Sequence, residues 1–111
     1  MPVIHTHVSV KTTPEQREAL KAAYGKLNDY AEQKRLSGDQ KDILFYLLQI
    51  ELFYNNPQPA SRKELCSFLE AGNTRLMSSI NALLGLGLLQ EHGKRPIRYS
   101  LSETAHRQFL Q

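Results

Sequence analysis

The stretch that decides the fold is Ser61–Leu110, SRKELCSFLEAGNTRLMSSINALLGLGLLQEHGKRPIRYSLSETAHRQFL. Ser61 followed three residues later by Glu64 is a capping box, which predicts the start of a short amphipathic helix. Ala71–Asn73 predicts a turn, because small residues and Asn are typical of turns. A second helix, over 73–84, then has one apolar face formed by Leu76, Ile80 and Leu83.

The rest of that stretch predicts a hairpin and a last helix. Two glycines end the second helix, and two apolar runs, 88–92 and 97–101, predict β-strands. Gly93-Lys94-Arg95-Pro96 lies between them as the hairpin tip. Ser102 is then placed to cap a final helix.

Residues 1–36 predict a strand and a helix. Residues 3–10 alternate with a period of two, which is typical of a strand that pairs with another strand. Thr13 and Pro14 supply an N-cap and a first helical residue. The helix carries an apolar stripe of Leu20, Ala23, Tyr24, Leu27 and Tyr30. Because this stripe adds to a core that residues 37–111 already supply, we expect residues 1–36 to carry a homodimer interface.

Residues 37–111 are expected to form the core of the fold. Asp39 is the predicted N-cap of a helix that runs to about Tyr54 and is apolar nearly all round. Such a helix should be central and packed on more than one side. With 111 residues, the chain is expected to be one domain, 1–111, mainly α-helical with a small β-hairpin, an α+β fold.

Composition excludes several classes of protein. No stretch has the roughly 18 consecutive apolar residues of a membrane span, and the N-terminus lacks the pattern of a signal peptide. The single Cys66 cannot form a disulfide within the chain, so we expect a reducing, cytoplasmic location. The net charge is +3; residues 1–60 balance, and residues 61–111 hold seven Lys and Arg against four Asp and Glu. A basic excess on one region is typical of nucleic-acid binding.

The pattern resembles the winged helix-turn-helix transcriptional regulators, and the MarR family most closely. The resemblance covers about half of the chain and depends on the residues Glu64-Leu65, Phe68-Leu69, Thr74-Arg75-Leu76, Ile80, Leu83, Gly87-Leu88-Leu89 and Tyr99–Thr104. It implies a winged helix-turn-helix, to which residues 1–36 add the N-terminal strand and helix predicted above. The chain lacks the long C-terminal helix of MarR proteins, and its size is closer to the ArsR family of metal-sensing repressors. Those use paired thiolates near the position of Cys66, which stands alone here.

The DNA-binding candidates lie on the second helix and around the hairpin. Arg can bind guanine and Asn adenine through two hydrogen bonds, and cations bind phosphates. The candidates on the second helix are Asn73, Thr74, Arg75, Met77, Ser78 and Asn81. The candidates elsewhere are Arg62, Lys94, Arg95 and Arg98. A solvated helix face and a solubilising hairpin tip are the alternatives.

Other chemistry has little support in the sequence. His5 and His7 share one side of the predicted strand, but no nearby ligand completes a metal site, so no metal is expected. We find no phosphate-binding glycine loop and no nucleophile motif, and therefore expect neither a cofactor nor an enzyme. Cys66 is interpreted as core packing.

Two functions remain open. The leading hypothesis is a sequence-specific regulator of transcription that binds double-stranded DNA, most simply a repressor acting as a homodimer on a pseudo-palindromic site. The alternative is a winged helix used for protein–protein contact, or a DNA-binding accessory factor, in a replication or partition complex. The operator and any small-molecule effector are not encoded in a readable pattern.

Overall fold

Five helices and a three-stranded antiparallel sheet form residues 12–111, the part of the chain that this computed structural model describes. The helices are α1 (Pro14–Lys34), α2 (Gly38–Phe53), α3 (Arg62–Leu69), α4 (Asn73–Gly85) and α5 (Glu103–Phe109). The strands are β1 (Ala60–Ser61), β2 (Leu89–His92) and β3 (Arg98–Leu101). The fold is therefore mainly helical with a small sheet, as predicted. The strand predicted over residues 3–10 lies outside the described residues.

The start of α1 confirms the prediction. The Thr13 hydroxyl accepts a hydrogen bond from the backbone N–H of Gln16 at 3.0 Å. The Gln16 side chain in turn accepts one from the backbone N–H of Thr13 at 2.8 Å. Pro14 occupies the first helical position, where a missing N–H costs nothing. The helix ends at Lys34, because Arg35 takes a left-handed conformation with φ of 55°.

The predicted N-cap of α2 is wrong. Ser37, not Asp39, caps the helix: its hydroxyl accepts from the backbone N–H of Gln40 at 3.1 Å. The side-chain oxygen of Gln40 in turn accepts a hydrogen bond from the backbone N–H of Ser37 at 3.0 Å, which completes a capping box. Gly38 is thus the first residue of α2, and the Asp39 carboxylate is left available for another partner.

Replacing Ser37 with alanine should lower the free energy of unfolding by about 0.5–2 kcal/mol, the usual cost of losing a side-chain cap. Denaturant unfolding followed by circular dichroism measures it. Ser67→Ala is the matched control, because Ser67 is exposed within α3 and its side chain makes no hydrogen bond among residues 12–111. Equal, negligible effects of the two substitutions would contradict the assignment of Ser37 as the cap.

α2 lies at the centre of the molecule, as its apolar sequence predicted. It packs against α1, α3, α4 and β3. Ile43, Leu44 and Leu48 are fully buried, with no exposed side-chain surface. A helix that contacts neighbours on several sides has no continuous polar face, and this explains why its sequence shows so little amphipathic pattern.

The apolar stripe of α1 packs largely within the chain. Ala23, Leu27 and Tyr30 are buried, and the Tyr30 ring packs edge-on against Phe109 of α5 with 5.4 Å between ring centroids. Tyr24 remains 38% exposed, although its ring contacts Phe45 of α2. Because most of the stripe packs against α2 and α5, it no longer supports the prediction that residues 1–36 carry a homodimer interface.

α3 and α4 follow the predicted pattern of helix, turn and helix. Ser61 caps α3 by accepting from the backbone N–H of Glu64 at 3.1 Å. Glu70 ends α3 in a left-handed conformation, and α4 begins three residues later. The predicted inner face of α4 is confirmed, because its three apolar residues are fully buried: Leu76, Ile80 and Leu83.

The sheet has the strand order β1-β3-β2. The predicted hairpin is present, with Leu89 opposite Leu101 and His92 opposite Arg98. β1 was not predicted; it adds two residues to the other edge of β3, where Ala60 pairs with Tyr99. Gly87 has a φ of 74° in the turn between α4 and β2, a conformation that side chains disfavour. α4 and the hairpin are therefore joined by a short and closely defined turn.

Candidate nucleic-acid interface

α4 presents a polar stripe on the side opposite its buried face. Thr74, Ser78 and Asn81 are exposed and lie three to four residues apart, so they share one side of the helix. Asn73 is exposed at the start of the helix. Met77, another candidate, is partly buried and packs against the core instead of standing in solvent. The stripe thus consists of small polar side chains that would let another molecule approach the helix closely.

Arg75 lies beside this stripe and is held by Asp39. Its Nε donates to Asp39 Oδ2 at 2.6 Å, and its Nη2 donates to Oδ1 at 2.8 Å. Two parallel hydrogen bonds of this kind fix the guanidinium plane as well as its position. The Arg75 side chain is nevertheless 59% exposed, whereas that of Asp39 is 21% exposed. Asp39, in the first turn of α2, is therefore the more enclosed partner.

The contact changes the electrostatics of both groups. The hydrogen bonds from Arg75 lower the pKa of Asp39 below its ordinary value; partial burial acts in the opposite direction, and the positive charge of Arg75 adds to the lowering. The same hydrogen bonds raise the pKa of Arg75. The pair is therefore fully ionised at neutral pH.

Replacing Asp39 with asparagine should have a pH-dependent effect on stability. Because folding lowers the Asp39 pKa, the ionised carboxylate stabilises the folded state above its unfolded-state pKa of about 3.9. That stabilisation disappears as the pH falls through the folded-state pKa. The difference in unfolding free energy between the wild type and Asp39→Asn should thus be constant from neutral pH to about pH 5 and shrink below about pH 4.

Asp42→Asn is the control for this measurement. Burial raises the pKa of Asp42, and the charge of Asp39 raises it further. Folding therefore disfavours the ionised form of the Asp42 carboxyl group, and Asp42→Asn should not lower the free energy of unfolding at neutral pH. Urea unfolding between pH 3 and 7 checks both variants, and a difference for Asp39→Asn that widens in acid would contradict the assigned role of its carboxylate.

The tip of the β2–β3 hairpin carries two free cations. Lys94 and Arg95 are exposed, and within residues 12–111 neither side chain makes a hydrogen bond or an ion pair. Gly93 beside them has a φ of 73°, and a Cβ there would lie 3.3 Å from the backbone oxygen of Pro96. Glycine is thus favoured at this tight tip, where both cations are exposed to solvent.

Arg98 is the first residue of β3, next to the hairpin tip, and Arg62 is the first residue of α3; both contact protein groups. Arg98 Nη1 is 3.7 Å from Glu64 Oε1, and the Nε of Arg62 donates to the Tyr99 hydroxyl at 3.4 Å. Ser61 pairs with Arg98 across β1 and β3, which brings the start of α3 to this strand. The two arginines connect α3 to the sheet and are less available to a ligand than the two cations at the tip.

The predicted residues therefore form two groups. One lies on α4 with Asp39, and the other lies on the hairpin and the start of α3; no side-chain hydrogen bond or ion pair between residues 12–111 joins the groups. Asp39 and Glu64 were missed as site residues because each was assigned only to the start of a helix. A signal for Asp39 was present: Ser37 and Gln40 form a capping box in the sequence, which leaves Asp39 without that role.

A cleft of about 140 Å³ lies between α2, the 57–59 loop and β3. Two pairs of its polar side chains are engaged within the protein: His92 Nε2 is 2.7 Å from Ser100 Oγ, and Glu51 Oε1 is 2.6 Å from Nε2 of His106 in α5. Across residues 12–111, no cluster of three or more His, Cys, Asp or Glu is placed to hold a metal. His5 and His7 lie outside the described residues. The cleft presents no group that argues for a particular ligand.

Comparison with protein-family models, with curated proteins and with solved structures gives no match for this chain. In the described part of the chain, no helix has the length and apolar character needed to cross a membrane. The function of the candidate interface therefore has to be inferred from the placement and the charge of its own residues.

Proposed function

We propose that this chain is a winged-helix regulator of transcription that binds double-stranded DNA in a sequence-specific way. α4 would lie in the major groove, where its polar stripe faces base edges. The hairpin would lie beside it as the wing, on the sugar–phosphate backbone. The succession of two helices joined by a tight turn and followed by a hairpin supports this arrangement.

One observation carries the proposal: Lys94 and Arg95 stand exposed at the hairpin tip without an acidic partner in the described residues. Cations without a partner are free to replace the counterions that surround DNA, and this release favours binding. The exposed stripe of α4 adds side chains able to hydrogen-bond bases. In this arrangement the hairpin contacts phosphates, and α4 contacts bases.

The regulator is proposed to act as a homodimer on a pseudo-palindromic site, most simply as a repressor. A pseudo-palindromic site has two half-sites about one helical turn of DNA apart, and each half-site is bound by one recognition helix. The large apolar side chains left exposed in residues 12–111 are Tyr24 and Leu86, at 38% and 37%. Light scattering at micromolar concentration tests this, and a monomer mass both free and DNA-bound would contradict it.

A mobility shift tests the main proposal. The full chain is titrated against the DNA upstream of its own coding region and against a pool of random duplexes, with rising salt. We expect retardation that falls steeply with salt, together with enrichment of a shared sequence from the pool. Failure to bind any duplex at 50 mM salt would contradict the proposal.

One observation favours the alternative of a protein-interaction module. Three arginines of residues 61–111 contact carboxylates instead of standing free: Arg75, Arg98 and Arg107. This internal pairing reduces the positive charge that the surface can offer to DNA. Absence of DNA binding, together with retention of the fold, would make protein contact the better proposal.

A further inference from the structure

Arg75 offers only part of its hydrogen-bonding capacity to Asp39. A guanidinium carries five N–H donors in one plane. The contact with Asp39 uses Nε and one hydrogen of Nη2. Both hydrogens of Nη1 and the second hydrogen of Nη2 remain unused, and within residues 12–111 no other side-chain hydrogen bond or ion pair of Arg75 is formed.

The unused donors lie along a second edge of the same group. That edge has the forked geometry which arginine uses to bind guanine O6 and N7 together. The side chain is 59% exposed, so a ligand can reach it without breaking the contact to Asp39. Asp39 and a base could thus bind two neighbouring edges of the Arg75 guanidinium at the same time.

We propose that Asp39 is a positioning residue that fixes Arg75 for the recognition of a guanine base. The inference depends on the proposed function and adds a specificity-determining residue to it. Asp39 does not touch the DNA in this arrangement; it acts through Arg75.

The physical reason is conformational entropy. A free arginine side chain has several rotatable bonds, and ordering them on binding costs free energy. The two hydrogen bonds from Arg75 order its guanidinium before the ligand arrives. Asp39 is itself well placed to do so, because it lies in the first turn of α2, where the helix dipole favours a carboxylate.

The hairpin cations provide the contrast. Lys94 and Arg95 have no such partner in the described residues, and a mobile cation suits a phosphate row that carries no sequence information. An arginine held in one orientation suits a base edge whose acceptors have fixed positions. The same residue type therefore serves two different tasks on this surface.

The test is selection of duplexes from a random pool by the wild type, Asp39→Asn and Arg75→Ala, followed by affinity measurements. Each protein is titrated with the selected site and with sites in which the preferred guanine is replaced. We expect the wild type to discriminate against the replacements by about five- to 150-fold, the range of a good bidentate contact. Arg75→Ala should abolish that preference.

Asp39→Asn should reduce the discrimination severalfold and bind unrelated DNA as tightly as the wild type or tighter, because a negative charge is removed near the DNA. Asp42→Asn is the matched control, since it removes the same charge one turn further along α2 and should keep the discrimination. Circular dichroism confirms that each variant is folded.

Each arm has a separate outcome. If the wild type binds no DNA, the proposed function fails, and the role of Asp39 fails with it. If the wild type binds specifically but Asp39→Asn discriminates as well as the wild type, or better, only the role of Asp39 is overturned. If the wild type shows no guanine preference that depends on Arg75, the positioning role is likewise overturned while DNA binding stands.

Discussion

Removing both cations from the hairpin tip, in Lys94→Ala/Arg95→Ala, is expected to weaken binding to every DNA sequence by about 100-fold at 0.1 M salt for each subunit that contacts the DNA. Each phosphate contact contributes a slope of about 0.9 to the dependence of log affinity on log salt, which amounts to roughly tenfold per contact over the decade from 0.1 to 1 M. The salt slope itself should fall by about two per subunit. Titrations of one specific and one unrelated duplex at four salt concentrations measure both quantities.

Lys21→Ala/Lys34→Ala is the control, because it removes two charges from α1 instead of the hairpin. It should change the affinity much less and leave the salt slope nearly intact. Arg75→Ala supplies the opposite contrast: it should cost about 1–3 kcal/mol on the preferred site and relax the sequence preference. If the hairpin and α1 variants lose affinity and slope equally, phosphate contact by the hairpin is refuted.

Replacing Leu48 with alanine is expected to lower the free energy of unfolding by about 2–5 kcal/mol, the range for large-to-small substitutions in a core. Leu48 is fully buried on α2, so its loss would leave a cavity among elements that pack on several sides of that helix. For a domain near 100 residues, each kcal/mol shifts the melting temperature by about 4–8 °C. Thermal and denaturant unfolding should agree on a large loss.

Leu86→Ala is the matched control, because it makes the same chemical change at a residue that is 37% exposed. Leu86→Ala should lower the free energy of unfolding far less, since solvent fills the space that the side chain leaves. If Leu48→Ala lowers the free energy of unfolding no more than Leu86→Ala does, α2 is not the centre of the core.

Local interactions made much of the fold predictable. Thr13 with Pro14, and Ser61 with Glu64, act within one helical turn, so their patterns predict helix starts without any knowledge of the tertiary structure. The inner face of α4 was equally readable, because residues three and four apart share a helix side. The start of α2 was mispredicted because two capping residues, Ser37 and Asp39, lie two positions apart.

Distant interactions could not be predicted. β1 is two residues long, too short for any periodicity, and it exists because β3 offers a free edge. The partner of Arg75 lies 36 residues away in sequence, and only the packing of α4 on α2 brings the two side chains together.

The amino-acid sequence by itself determined the helices, the hairpin, the inner face of α4 and the positive tip, since each depends on neighbours within a few residues. The tertiary structure alone decided which surfaces remained available. It enclosed most of the α1 stripe against α2 and α5, partly buried Met77, connected Arg62 and Arg98 to protein groups, and left Lys94 and Arg95 free. The physical reason is that burial and ion pairing depend on which elements meet in space, a property that no local pattern of residues encodes.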